Sequence, residues 1–192
     1  MKQYDLILSD PPWKQTKGGL RKCRPNQGKK LDYETLSLDA IKSIHKHFAD
    51  SAKENHILFC WTIEKFLPET EKMLAELGYK LHARMIWDKT NGVAPAFTVR
   101  YSHEYLLYCY KGKFTPVAKD QRGKFCTVFR EPATTHSTKP QIAYDIIEKL
   151  YPTAEKVELF ARNKREGWDS WGNEIESDVD FTYTGEVQNG EN

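Results

Sequence analysis

Long apolar runs are missing from this sequence of 192 residues. No stretch reaches the roughly 18 uncharged apolar residues of a membrane-spanning helix, and residues 1–5 lack the apolar core of a signal peptide. Cysteine is also scarce, with four residues and no Cys-x-x-Cys pair, which is the spacing that zinc sites favour. We therefore expect a cytoplasmic protein that neither spans a membrane nor binds a metal.

The composition and length of the sequence are typical of a folded globular domain. Aromatic residues make up 12% of the chain and hydrophobic residues 39%, which is too rich for a disordered polypeptide. The length fits one domain better than two. We predict a single domain over residues 1–176, followed by an acidic, flexible tail over residues 177–192.

The net charge of +2 conceals an uneven distribution. Residues 174–192 carry six acidic side chains and no Lys or Arg, so residues 1–173 carry a charge of +8. The segment 11–31 holds seven basic residues and no acidic one, namely Lys14, Lys17, Arg21, Lys22, Arg24, Lys29 and Lys30. A solvated loop and a phosphate-contacting arm are both compatible with this composition. Its place beside the motif described below favours an arm, and we add Tyr33 to its nucleic-acid-binding residues.

Apolar patterning predicts alternating strands and helices. Short apolar or alternating runs predict strands, and apolar residues at helical spacing, with Pro or Gly at their boundaries, predict helices. The predicted strands are 4–9, 56–61, 79–87, 103–110, 127–129 and 156–160, and the predicted helices are one from residue 38 onward, 66–77 and 141–150. This order is typical of a doubly wound α/β sheet with helices on both faces.

The most informative motif is Asp10-Pro11-Pro12-Trp13, directly after the first predicted strand. Ligands of such sheets bind outside the carboxyl ends of the strands. Asp10 offers a carboxylate, Pro11 a carbonyl whose direction the following proline restricts, and Trp13 a flat apolar surface. These groups suit a planar ring with an exocyclic amino group, whose two hydrogens Asp10 and the Pro11 carbonyl can accept while Trp13 packs on or beside the ring.

Such an amino group is a poor nucleophile, because its lone pair is delocalised into the ring. Two fixed acceptors stabilise the positive charge that grows on the nitrogen when it attacks. Transfer from an activated donor then needs no nucleophilic side chain and no metal.

The tetrad resembles that of the MT-A70 family, which includes the catalytic subunit of the eukaryotic messenger RNA adenosine N6-methyltransferase. The resemblance covers about residues 4–175 and includes segments at 33–37, 59–62, 85–90, 136–140, 158–162 and 167–174. It implies S-adenosylmethionine-dependent methylation of adenine N6. It also implies a Rossmann-like methyltransferase fold with a mixed, mostly parallel sheet. The motif order is similar to the permuted order of beta-class amino-methyltransferases, with the catalytic tetrad first and the donor-binding segments last.

The resemblance also implies roles for individual residues. Asp10, Pro11, Pro12 and Trp13 match the catalytic tetrad. The residues that match the cofactor site are Asp10, Lys139, Phe160, Arg162, Asn173 and Glu174. Glu174 stands where family members carry Gln, and a carboxylate is suited to accept from two vicinal ribose hydroxyls.

Chain size and the basic arm indicate the class of substrate. The small size resembles bacterial or phage DNA modifiers, so we expect DNA, with RNA as the alternative. A catalytically silent nucleic-acid-binding module is disfavoured by the intact tetrad, and an enzyme for a protein amide or a small amine is disfavoured by the basic arm. Specificity arises either from loose sequence preference or from a partner.

Overall fold

The computed structural model describes residues 2–13, 35–91, 99–134 and 138–184. Seven strands form one sheet in the order β5-β3-β4-β2-β1-β6-β7. In chain order the strands are β1 Leu6–Ser9, β2 His56–Thr62, β3 Lys80–Asp88, β4 His103–Lys111, β5 Val128–Arg130, β6 Lys156–Leu159 and β7 Asp169–Trp171. The helices are α1 Leu38–Ser51, α2 Leu67–Glu76 and α3 Gln141–Leu150, with single 3-10 turns at Glu64–Phe66 and Lys119–Gln121.

The sheet is buried on both faces, which explains why β1, β2 and β6 lack a polar side facing solvent. Helices α1 and α2 pack on one face, where Ile41 and Met73 belong to the same hydrophobic cluster as Ile7 of β1. Helix α3 packs on the other face, where Ile147 and Leu8 belong to a second cluster. The predicted α/β sheet with helices on both faces is therefore confirmed.

Local sequence signals explain where the helices begin. The Ser37 side chain accepts a hydrogen bond from the Ala40 backbone N–H at 3.2 Å and caps α1. Helix α2 has a proline in its first turn, and α3 begins directly after Pro140. Proline suits these places because its fixed φ fits the first turn and its missing N–H has no helical partner there.

Strand direction brings the loops that follow six of the seven strands to one edge of the sheet. Strand β4 is antiparallel to β2 and β3, whereas the other pairs of neighbouring strands are parallel. The carboxyl ends of β1, β2, β3, β5, β6 and β7 therefore lie at one edge. The tetrad follows β1 near the centre of the sheet. The two segments expected to hold the donor follow β6, which pairs with β1, and β7, which pairs with β6.

Two features differ from the sequence-based expectations. Strand β7 was not predicted; three residues with a polar start carry too little pattern to be recognised, and β7 owes its conformation to pairing with β6. The expected flexible tail is packed over its first residues. Val179, Phe181 and Tyr183 lie against the core on the α1 face, because apolar side chains alternate there with the acidic ones.

Among the described residues, no helix is both long and apolar enough to cross a membrane. Within the same ranges, no group of three or more His, Cys, Asp or Glu side chains is placed to hold a metal ion. The basic arm, with Lys14 to Lys30 and Tyr33, lies outside the described residues.

Candidate active site

The tetrad forms a tight turn at the end of β1. The Trp13 backbone N–H donates to the Pro11 carbonyl at 2.9 Å, which closes a three-residue turn around Pro12. The Pro12 carbonyl accepts from the Leu36 backbone N–H at 3.0 Å, which ties the turn to the residues before α1. One lone pair of the Pro11 carbonyl is therefore used internally, and this bond fixes the direction of the second.

Trp13 does not offer an open ring face. Its side chain is only 7% exposed and stacks on Phe66, with ring centroids 5.4 Å apart and planes 19° from parallel. Phe66 thus occupies one face of the indole, and the expectation that Trp13 packs on or beside a bound ring stays a prediction. Because the indole is committed to Phe66, Trp13 holds the turn in place, and its buried Nε1 has no hydrogen-bond partner among the described residues.

A chain of alternating charges begins at Asp10. The Lys139 Nζ lies 2.9 Å from Asp10 Oδ1 and 3.2 Å from Glu104 Oε2. The other Glu104 oxygen accepts from Lys89 Nζ at 2.7 Å. These four side chains come from the ends of β1, β3 and β4 and from the residue before Pro140. Together they place two carboxylates and two ammonium groups in a largely desolvated row.

Burial and pairing act in opposite directions on these groups. Burial raises the pKa of Asp10 above its usual value, and the attraction of Lys139 opposes that rise. Burial lowers the pKa of Lys139, but Asp10 and Glu104 outweigh it, and the net pKa is raised. Burial likewise acts to raise the pKa of Glu104, but Lys139 and Lys89 outweigh it and lower the net pKa. Lys139 is thus a firmly charged partner of Asp10.

A second buried carboxylate lies on the neighbouring strand. Glu158 of β6 is paired in register with Leu8 of β1, two residues before Asp10. It accepts a hydrogen bond from the Tyr144 hydroxyl at 2.7 Å. Burial is the main cause that raises the pKa of Glu158 to about 7, and the negative charge of Asp10 adds to the rise. Two acidic groups of different proton affinity therefore lie on one side of the sheet.

Both carboxylates line an open cavity of about 500 Å³ between the start of α3 and the loop after β6. Lys139, Phe160 and Arg162 also line it. The predicted cofactor residues Asp10, Lys139, Phe160 and Arg162 are thus brought together. This volume lies within the range of ordinary ligand pockets. A second cavity, of about 330 Å³ and mainly apolar, lies at the far end of β3 and β4, away from the tetrad.

The other two predicted cofactor residues lie beside this cavity. Asn173 and Glu174 follow β7 in an exposed turn, and the Arg162 guanidinium lies 3.7 Å from the Glu174 carboxylate. Arg162 therefore links the loop after β6 to the turn after β7. A carboxylate, an amide and a guanidinium along this border fit a ligand that carries hydroxyl and carboxylate groups.

The backbone of the loop after β6 contacts the backbone at the end of β7. The Ala161 backbone N–H donates to the Trp171 carbonyl at 3.0 Å, and a Cβ atom on Gly172 would lie 2.2 Å from the Ala161 carbonyl oxygen. Only glycine fits there. Phe160, at the tip of β6, has a φ of 61°, a conformation that costs energy for a residue other than glycine. Such strain is typical of ligand sites.

Sequence reasoning missed four residues of this site: Lys89, Glu104, Tyr144 and Glu158. Glu104 and Glu158 each carried a usable signal, because an acidic side chain inside an otherwise apolar strand needs a partner. Glu158 even lies within a segment that supports the family resemblance, although no role was assigned to it. Lys89 and Tyr144 carried no local signal, since their partners are distant in the chain.

Comparison with known proteins identifies a matching family and several similar proteins. The family description MT-A70 matches residues 4–174. The type II methyltransferase M.MunI of Mycoplasma sp is 29% identical over 204 residues, which cover 97% of this chain and 84% of that protein.

Eukaryotic proteins are also similar. The N(6)-adenosine-methyltransferase MT-A70-like protein of Drosophila melanogaster and the catalytic subunit METTL3 of Homo sapiens are each 27% identical over 183 residues, or 91% of this chain. The chain spans only 27% and 28% of their respective lengths.

Proposed function

This chain belongs to the MT-A70 family of N6-adenine methyltransferases, and from that premise we propose that it methylates adenine N6 in DNA. The observation that carries the proposal is the placement of Asp10. Its carboxylate lines the cavity at the end of β1, and its Oδ1 is held by Lys139. A fixed, ionised acceptor at that place suits an amino group that becomes positively charged as it reacts.

Each tetrad residue then has a distinct task. Asp10 accepts one hydrogen of the target amino group, and the second lone pair of the Pro11 carbonyl accepts the other. Lys139 keeps Asp10 ionised, which strengthens the first of these bonds, since bonds to ionised acceptors are about twice as strong as neutral ones. Pro12 and Trp13 hold the turn that aims the Pro11 carbonyl.

MT-A70 methyltransferases generally depend on S-adenosylmethionine, and the residues around the cavity fit that group. Bound there, it supplies an activated methyl group. Arg162, Asn173 and Glu174 offer polar groups for ribose hydroxyls beside the cavity, and Phe160 offers an apolar wall. Asp10, already paired with Lys139, attracts the cationic end of an amino acid moiety, and Lys139 attracts its carboxylate.

The similarity to a type II methyltransferase favours DNA over RNA as the substrate. The chain spans 84% of a protein named as a type II methyltransferase, a term used for DNA-modifying enzymes. The eukaryotic relatives are named for adenosine, and this chain spans only 27% and 28% of their lengths, so RNA is the alternative substrate. A base inside a duplex must be flipped out before it is modified, whereas a base in a single strand needs no such step.

One experiment tests the reaction and the substrate together. The protein is incubated with S-adenosylmethionine labelled in the methyl group and with duplex DNA, single-stranded DNA or RNA of the same sequence, and the modified nucleoside is identified by mass spectrometry. We expect N6-methyldeoxyadenosine. Methylation of RNA alone would contradict the DNA assignment, and no nucleoside methylation on any substrate would contradict the proposed function as a whole.

The basic arm supplies a separate test of nucleic-acid binding. If about four of its seven basic residues contact phosphates of a duplex, log affinity falls with log salt concentration at a slope near −3.6, from about −0.9 per contact. Replacing Arg21, Lys22 and Arg24 by Ala should make this slope clearly shallower. An unchanged slope would assign the segment to a solvated loop.

A further inference from the structure

The chain that follows β7 turns back along the outer edge of that strand. The Asp178 backbone N–H donates to the Ser170 carbonyl at 2.8 Å, and the Ser170 backbone N–H donates to Asp178 Oδ2 at 3.0 Å. Strand β7 is the last strand of the sheet on this side. Asp178 therefore completes the hydrogen bonds of an edge strand that lacks a further neighbour.

The same carboxylate also reaches the loop after β6. Asp178 Oδ1 accepts from the Lys164 Nζ at 2.6 Å, and this bond is the main cause that lowers the pKa of Asp178 below its usual value. Lys164 lines the cavity that Asp10 and Phe160 also line. One side chain of the acidic tail thus joins β7 to the wall of the proposed cofactor site.

A second contact fixes the turn that carries Asn173 and Glu174. The Ser177 hydroxyl accepts from the Gly172 backbone N–H and donates to the Gly172 carbonyl, each at 3.3 Å. Gly172 is also the residue that presses against Ala161. The turn is therefore held at its start by the neighbouring loop and at its end by the tail.

Apolar packing keeps the tail in this position. The Phe181 ring stacks on His47 of α1 at 3.8 Å between centroids, with planes 13° apart, and meets Phe48 edge to face at 5.5 Å. The Trp171 Nε1 donates to the Phe181 carbonyl at 2.8 Å. Asp178 is thus fixed from both sides, by β7 before it and by Phe181 after it.

We propose that segment 177–181 is a positioning element of the cofactor site, in which Asp178 holds the loop after β6 and the turn after β7 at the spacing that a ribose requires. This inference rests on the proposed function, because it concerns how the methyl donor is held. Asp178 is a positioning residue: it touches Lys164 and Ser170, and it does not line the cavity. Asn173 and Glu174 are exposed, so their placement depends on the backbone that the tail anchors.

The test compares two acidic residues of the same tail. Asp178→Ala removes both bonds of the carboxylate, whereas Asp180→Ala removes the same charge from an exposed residue with no hydrogen bond or ion pair to the part of the chain that the structure describes. Binding of S-adenosylhomocysteine to the free protein is measured by calorimetry. We expect Asp178→Ala to raise the Kd about five- to tenfold, a normal size for coupling between neighbouring sites, and Asp180→Ala to leave it unchanged.

Steady-state kinetics separate positioning from general damage. Asp178→Ala should raise the KM for S-adenosylmethionine by a similar factor while kcat and the KM for the nucleic acid stay close to those of the wild type. Asp178→Asn keeps an oxygen for the Ser170 N–H and loses the ion pair with Lys164, so its Kd should lie between those of wild type and Asp178→Ala. Amide hydrogen exchange of the free protein should be faster in Asp178→Ala at residues 170–176.

The outcomes distinguish this inference from the one on which it depends. Wild-type protein that binds S-adenosylhomocysteine, together with an unchanged Kd in Asp178→Ala, would overturn the positioning role alone. Equal losses in Asp178→Ala and Asp180→Ala would also overturn it, since only the charge of the tail would then matter. Failure of the wild type to bind would overturn the proposed function and this inference with it. If Asp178→Ala does not fold, Asp178→Asn provides the same comparison.

Discussion

Asp10 and Glu158 are two buried carboxylates on neighbouring strands, and they differ in the partner that each one meets. Asp10 faces an ammonium group, Lys139, which is itself anchored by Glu104. Glu158 faces a neutral phenol, Tyr144. Burial raises the pKa of both carboxylates. Lys139 contacts Asp10 directly and opposes that rise, whereas Arg165 and Lys139 act on Glu158 only through coulombic attraction. The pKa of Glu158 therefore rises to about 7.

The two carboxylates show how the partner of a buried acid affects its ionisation: an ammonium group favours the charged form of Asp10, and a phenol leaves the pKa of Glu158 at about 7. A reaction that develops positive charge needs a charged acceptor in one place only. A second full charge next to Asp10 would attract the same amino group in a different geometry. Asp10 and Glu158 lie on the same side of the sheet, and each meets a different partner there.

Lys139→Met is the substitution with the largest expected effect. It leaves Asp10 and Glu104 as two buried carboxylates without the ammonium group between them, and breaking a buried ion pair by removing one partner costs about 3–5 kcal/mol. The free energy of unfolding, measured with urea at pH 7.5, should fall by that amount.

Lys156→Met is the matched control for this change. Lys156 is equally buried, but its Nζ donates to the Ala154 carbonyl and contacts no carboxylate among the described residues. Its loss should cost about 1 kcal/mol, the value of one ordinary hydrogen bond. Equal losses in the two variants would contradict the view that Lys139 compensates Asp10 and Glu104.

Asp10→Asn should lower kcat by about 10²–10³-fold, as the loss of one fixed charge-stabilising group does in other enzymes. The amide has nearly the same shape but carries no negative charge. The rate is measured at saturating S-adenosylmethionine, because Asp10 is also proposed to contact that group. Asp5→Asn, at the opposite end of β1, makes the same chemical change away from the cavity and should retain activity. A rate within threefold of wild type for Asp10→Asn would remove Asp10 from the proposed chemistry.

Much of the fold could be predicted because its signals are local. Strand β1, the Asp10-Pro11-Pro12-Trp13 turn and helix α3 each follow from a short apolar pattern with proline at its boundary. Strand β7 could not, because three residues paired with β6 owe their conformation to a neighbour rather than to their own sequence. The packing of the first tail residues could not be predicted for a related reason: the acidic composition of the segment concealed Phe181, which packs on α1.

The candidate site also contains residues that could be predicted from the sequence and residues that could not. The tetrad is contiguous and was recognised from sequence, and the structure brings Asp10, Lys139, Phe160 and Arg162 to one cavity. The pairing of Lys139 with Glu104 joins residues far apart in the chain, and no spacing rule reveals which of 29 basic residues meets which of 27 acidic ones. Only the strand order brings the carboxyl end of β1 and the start of β4 to the same edge.

Glu158→Gln should remove the pH dependence of stability that the raised pKa of Glu158 creates. The pKa of Glu158 is about 7 in the folded protein against 4.5 for an unperturbed glutamate. The folded state therefore binds the proton more tightly, and stability falls as the pH rises from about 4.5 to 7. Above pH 7 the ionised, buried Glu158 costs about 3 kcal/mol relative to low pH. Glutamine still accepts the Tyr144 hydrogen bond but never ionises.

We therefore expect the free energy of unfolding of Glu158→Gln, relative to wild type, to increase by about 2–3 kcal/mol between pH 5 and pH 8. Urea unfolding of both proteins across this range measures the difference. Glu155→Gln changes an exposed carboxylate just before β6 and should give a curve nearly parallel to that of wild type. Parallel curves for Glu158→Gln as well would mean that Glu158 ionises like an unperturbed glutamate, and the effect assigned to its burial beside Tyr144 would be lost.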